Sequence, residues 1–295
     1  MAVVTAFAAA LALGLPPQDA VQDPPATTLD EVVVESRTLR ETVDSFVEGV
    51  IAAPIGRAPA RWHRKVCVGV ANLRRDAAQV IVDRVSAVAL EAGLEVGEPG
   101  CKANILVVAS DDGDAMARAL VEAAPLAFRP GYAGASRSGF QLQRFQEGGA
   151  PVRWWHVSIP VTDDGQIAVR MPGDPGAPVI PQENSRLRTT LRNNLRSAFI
   201  VIDLPRASGL NFQQLGDYIG MVAMAQIDPE AETAAFDTVL NLFEPGRQVE
   251  GLTGWDASYL KSLYDAELNR KLLNQQTGEV GQLMLRDQQA ATRPE

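Results

Sequence analysis

Hydrophobic positions along the chain switch between two periods. Val43, Phe46, Val47 and Val50 recur at helical spacing and predict a short amphipathic helix over Glu41–Ile51. The runs Val66-Cys67-Val68-Gly69-Val70 and Asn104-Ile105-Leu106-Val107-Val108 are continuous and β-branched, which predicts buried strands. Between them, Ala77, Val80, Ile81, Val85, Val88 and Ala89 follow helical spacing over 76–92, and Gly93 stands where a helix C-terminus favours glycine. Residues 65–109 thus predict a β-α-β unit, and a further helix over 114–124 ends before Pro125. An N-terminal lobe built on this unit would span 62–128.

Farther along, 129–150 carries Gly131, Gly134, Gly139, Gly148 and Gly149 and predicts loop. Pro151–Val161 predicts a strand bearing Arg153-Trp154-Trp155-His156, the densest aromatic cluster of the chain. Pro172–Pro181 is a proline-rich loop. Ser185–Ser197 predicts a helix on which Arg188, Arg192 and Arg196, four apart, form one basic stripe. The apolar run Ala198–Asp203 predicts a buried strand, followed by a loop with Pro205 and Gly209 and then a helix stopped at Asp228-Pro229. The apolar segment Asp237–Phe243 and the run Leu252-Thr253-Gly254-Trp255-Asp256 lead into a helix through Tyr259, Leu260, Leu263 and Tyr264; a last helix covers 278–289. The order predicts an α+β fold: a mixed sheet with C-terminal helices, in a single domain over 41–290. No internal repeat is present.

Composition narrows the class. The 295 residues are 46% hydrophobic and 6% aromatic, as in globular proteins. The formal charge of −9 and pI near 4.9 argue against nucleic acid as a partner, which needs a basic surface. Met1–Leu15 is an uncharged Ala/Leu/Val run, and 1–20 resembles the apolar core of a secretory signal with a small-residue end. This predicts a periplasmic or secreted protein with no membrane span in the mature chain. Residues 21–40 read as a linker with a valine-rich segment, Leu29–Arg37. That segment resembles the partner-binding N-terminal stretch of TonB-dependent receptors, which adds a strand to a sheet edge. In an exported chain, the two cysteines Cys67 and Cys101 predict a disulfide.

The most informative stretch is Gln213-Gln214-Leu215-Gly216-Asp217-Tyr218-Ile219-Gly220. It keeps the frame of the zinc-protease helix H-E-x-x-H-x-x-G and changes its chemistry. Two histidines four apart share a helix face and hold zinc, and the glutamate between them polarises the bound water. Here Gln213 and Asp217 replace the histidines, Gln214 the glutamate, and Ala223 the third histidine of the extended motif; Gly220 is kept. Glutamine is a poor zinc ligand and cannot act as a base. The only histidines, His63 and His156, are distant in sequence. Read without the motif, this is a buried helix in which Gly216 and Gly220 permit close packing.

With the strand before it and the "LTxWD" run after it, the stretch resembles zincin-like domains. The likeness is to secreted proteobacterial proteins with an eroded HExxH, and it covers roughly 185–268. The resemblance implies a domain that has lost its metal, with no cofactor and no protease activity. Its site helix would line a groove with Gln213, Gln214 and Asp217, and an edge strand carrying Trp154, Trp155 and His156 would form the groove wall. Trp154–His156 and the arginine stripe are the candidate binding residues. Three functions are open: binding a peptide or protein of the cell envelope, envelope assembly with the former site packed shut, or metal-independent hydrolysis using Asp217 with Asp203 or Glu230.

Overall fold

Parallel strand pairs need a crossover between them, and the first two strands have one. The computed structural model describes residues 38–53, 57–131, 138–168 and 186–292. The signal-like segment, the valine-rich stretch and the Pro172–Pro181 loop lie outside the described residues. β1 (Val68–Ala71) and β2 (Ile105–Ser110) pair in parallel, with Val68 opposite Ile105, and α2 (Arg75–Glu91) joins them. β2 in turn pairs in parallel with β4 (Leu191–Asp203), Ile105 opposite Ala198. β3 (Val152–Thr162) runs antiparallel to β4, with Val152 opposite Ile202. The order is β1-β2-β4-β3, so the strands of the β-α-β unit share one mixed sheet with β3 and β4.

Side chains alternate across the sheet and meet two different cores. Ala198, Ile200 and Ile202 of β4 face the larger one, with Ile105 and Val107 of β2. That core also takes Ile81 and Val85 of α2 and Ile219 and Val222 of α6 (Phe212–Met224). Phe46 of α1 (Leu39–Val50), Tyr259 of α7 (Gly254–Asp265) and Met284 of α8 (Leu273–Ala291) complete it. On the other face, Val201, Trp155 and Val157 pack with Ala117 of α3 (Gly113–Ala123), Phe128 of α4 (Pro125–Phe128), and Leu142 and Phe145 of α5 (Gly139–Glu147). The molecule is α+β, with helices on both faces of the sheet.

Two expectations are corrected. The helix expected over Ser185–Ser197 is not found among the described residues from 186 on; β4 begins at Leu191, and its strand pattern is visible in the burial of Asn193 and Leu195 against exposed Arg196. A spacing of four keeps arginines on one side of a helix and also of a strand, so the stripe did not discriminate. Arg192 and Arg196 lie along β4, and Arg188 precedes it in a short bridge with Arg270, so the three are not stacked on one helix face. Arg196 is the extra residue of a β-bulge: Val157 pairs with Ser197 and Ser158 with Leu195. The bulge resets the alternation, so Leu195 and Ala198 face the same core although they are three apart. The second correction is α5, inside the stretch expected to be loop. Gly139 opens the helix, Gly148 and Gly149 follow it, and Ser138 and Gln141 form a capping box at its start.

Cys67 and Cys101 sit at disulfide distance, with Cα atoms 6.1 Å apart. No described helix is long and apolar enough to cross a membrane. We expect the thiols to react with an alkylating agent after reduction and not before. Replacing both with serine should cost about 3–4 kcal/mol in urea unfolding, from the loop the bond closes. Alkylation of the unreduced protein at both cysteines would show that the pair is not bonded.

Candidate functional site

Helix α6 carries the eroded motif, and three of its four altered positions, Gln214, Asp217 and Ala223, have structural partners. Asn211 caps the helix: its side chain accepts from Gln214 N–H (2.9 Å), and Gln214 Oε1 accepts from Asn211 N–H (3.2 Å). Gln214 also donates to Val249 O at 2.7 Å, so it ties the helix start to the 249–252 segment. Gln213 is exposed. Asp217, 5% exposed, accepts from Arg84 Nε of α2 at 2.7 Å, and Arg84 Nη2 joins the same oxygen. Its other oxygen accepts from Leu252 N–H at 3.2 Å.

The glycines of the motif set how closely α6 approaches α2. A Cβ on Gly220 would stand 2.7 Å from Val88 Cγ2, and one on Gly216 would stand 2.7 Å from Arg84 Cβ. Ala223 is fully buried, and its carbonyl accepts from Trp62 Nε1 at 2.8 Å. Tyr264 donates to Met224 O at 2.7 Å, so two side chains satisfy carbonyls at the end of α6. The face bearing Asp217, Gly220 and Ala223 is therefore turned into the protein. Asp203 is engaged elsewhere: it accepts from Gly113 N–H (3.1 Å) and pairs with Arg206 (3.1 Å). Asp256 of the "LTxWD" run is also structural. Fully buried, it accepts from Val239 N–H (2.7 Å), Thr253 N–H (3.0 Å) and Thr238 Oγ1 (2.5 Å), while burial pushes its pKa up against these bonds.

Space opens on the Tyr218 side of α6. A cleft of about 290 Å³ lies at the start of β3, at the edge of the sheet. Trp154, Tyr218 and Phe243 line it, with ring centroids 6.1 Å apart for the first pair and 5.0 Å for the second, both edge-to-face. Trp154 Nε1 donates to Ile227 O at 3.0 Å, which fixes the indole. Tyr218 is 7% exposed. Burial raises its pKa well above the ordinary phenol value, and the negative charge of Glu244 adds to the rise. Asp228, Glu230 and Glu244 also line the cleft, with Arg144 and Arg153. Arg144 reaches from α5 to Glu230 at 2.9 Å. Arg153 is buried against Asp114, which holds that carboxyl below its usual range.

The sequence-derived candidates are thus divided. Trp154 is a wall of the cleft. Trp155 also borders it, but its ring turns to the opposite core, 6.3 Å from Phe145, and its Nε1 donates to Phe128 O at 2.9 Å. His156 is buried farther along β3. Arg192 is near His63, away from these aromatics: burial first, then Arg61 and Arg192, lower the His63 pKa to about 4. Tyr218, Phe243, Glu244 and Arg144 had no motif to mark them, although Tyr218 lies between two positions of the stretch singled out. Among the described residues no group of three or more His, Cys, Asp or Glu is placed to hold a metal ion. No family model, curated protein or solved structure matches the chain.

Two outcomes test this geometry. Gly220→Ala should destabilise by about 1–3 kcal/mol through overpacking against Val88. Gly278→Ala in α8, where a Cβ meets nothing within 4 Å, should be neutral or stabilising in the same urea titrations. Equal effects would contradict the close α2–α6 contact. The fold disfavours the charged form of His63, so its contribution is intact above the free value of 6.5 and stability falls as pH drops from there towards about 4. Ring proton shifts in an NMR titration should give a midpoint near 4, and a midpoint near 6.5 would remove the effect.

Proposed function

We propose that the mature protein is an exported, non-catalytic binding protein that takes an extended peptide or protein segment in the cleft beside β3. The observation that carries this reading is the division of α6 into two sides. Its Asp217 side is bonded to Arg84 and Leu252, while its Tyr218 side borders the open, aromatic-walled cleft. A fixed indole on a sheet-edge strand, with the rings of Tyr218 and Phe243 beside it, suits an anchor side chain of an extended chain. A hydrolase based on Asp217 gains little support, because both carboxylate oxygens are engaged. Export is supported by the apolar, uncharged start of the chain and by two cysteines at bonding distance.

The alternative, envelope assembly with the former site packed shut, is favoured by the burial of Asp217, Gly220 and Ala223. The zincin ancestry of α6 belongs with either reading and rests on the motif frame alone.

Selection of displayed random peptides on the full chain separates the two readings. Cleft binding predicts enriched peptides whose affinity falls at least about tenfold on Ala150→Trp, an exposed lining position whose new indole would occupy the cleft. Peptides that bind this variant as well as the parent, or no enrichment at all, would sink the cleft reading and leave assembly.

A further inference from the structure

The chemistry of the cleft narrows what it takes. Three carboxylates line it, Asp228, Glu230 and Glu244, against two guanidinium groups. Arg153 is neutralised from outside the lining by Asp114, and Arg144 is held by Glu230. Glu244 is exposed and has no ion-pair partner among the described residues. The lining is therefore acidic in balance, beside three aromatic rings. Negative ring faces attract cations, and carboxylates at the rim of a partly desolvated space add to that attraction. The hydroxyl of Tyr218, a residue that lines the cleft, gives the site an acceptor for an N–H donor. An acidic ligand would meet the exposed Glu244 carboxylate, while both guanidinium groups of the lining are already paired. The volume of about 290 Å³ suits one long side chain rather than a folded surface.

We infer that this cleft recognises a basic side chain, arginine or lysine, of a peptide segment, with its cationic head beside Glu244 and Tyr218 and its stem along Trp154 and Phe243. This rests on the cleft-binding reading above and specifies its ligand. The chain's own acidic balance, −9 overall, agrees with a basic partner.

The test uses the full chain and capped tripeptides Ala-Xaa-Ala, with Xaa arginine, lysine, leucine or glutamate. Affinity is measured by calorimetry, and the site is reported by the Trp154 indole N–H signal in NMR. The arginine and lysine peptides should shift that signal and bind at least about tenfold more tightly than the glutamate peptide, with affinity falling as salt rises. Glu244→Gln should reduce the preference for arginine over leucine about fivefold. Leucine binding as tightly as arginine, with the indole shifted, would overturn the basic-chain inference while the cleft stands. If no peptide shifts the indole, both fall.

Discussion

The structure depends on the contact between α2 and α6. Gly216 and Gly220 remove the side chains that would hold the helices apart, and Arg84 and Val88 occupy the space. At that junction the Arg84–Asp217 ion pair crosses from one helix to the other, with the Asp217 side chain 7% and the Arg84 side chain 32% exposed. A buried carboxylate without such a partner would be strongly unfavourable. Asp217 therefore fixes both the rotation of α6 and the position of the 251–252 segment. A Cβ on Gly251 would collide with the same carboxylate, so the loop closes over Asp217 only because residue 251 is glycine.

From that contact the rest of the larger core follows. With α6 held against α2, its end reaches Trp62 and Tyr264, and the end of α7 reaches Arg61, which donates to Leu263 O (2.8 Å) and Tyr264 O (2.9 Å). Arg61 is desolvated there, which lowers its pKa, yet three carbonyls of a helix C-terminus suit a cation. The rotation that buries Asp217 leaves Tyr218 beside Trp154 and Phe243, so the closed side and the cleft of α6 are two consequences of one packing choice.

The legible parts of the sequence were those whose period allowed one answer. The spacing of Ala77, Ile81, Val85 and Val88 permits a helix and nothing else, and α2 runs Arg75–Glu91. The apolar run at Ile105 and the aromatic run around Trp154 are strands at the expected places. The arginine spacing of four was ambiguous between helix and strand, and the bulge at Arg196 broke the alternation that would have settled it. Of the aromatic rings that wall the cleft, Trp154 alone was marked in the sequence. The other walls come from α6, from the turn Val239–Phe243 and from α5, and no local pattern says that these segments converge. The frame of α6 was read for its chemistry; the roles of Asp217 and Gln214 depend on Arg84 and Val249, whose approach is a property of the fold.

The central claim is that Asp217 is committed to the α2–α6 junction. A double-mutant cycle on Arg84→Met and Asp217→Asn, read by urea unfolding, measures that commitment directly. A coupling of about 1–3 kcal/mol is expected, because each single change leaves the other group without its partner. Additive effects with no coupling would contradict it, and would return the Asp217 carboxylate to the list of groups available for other work.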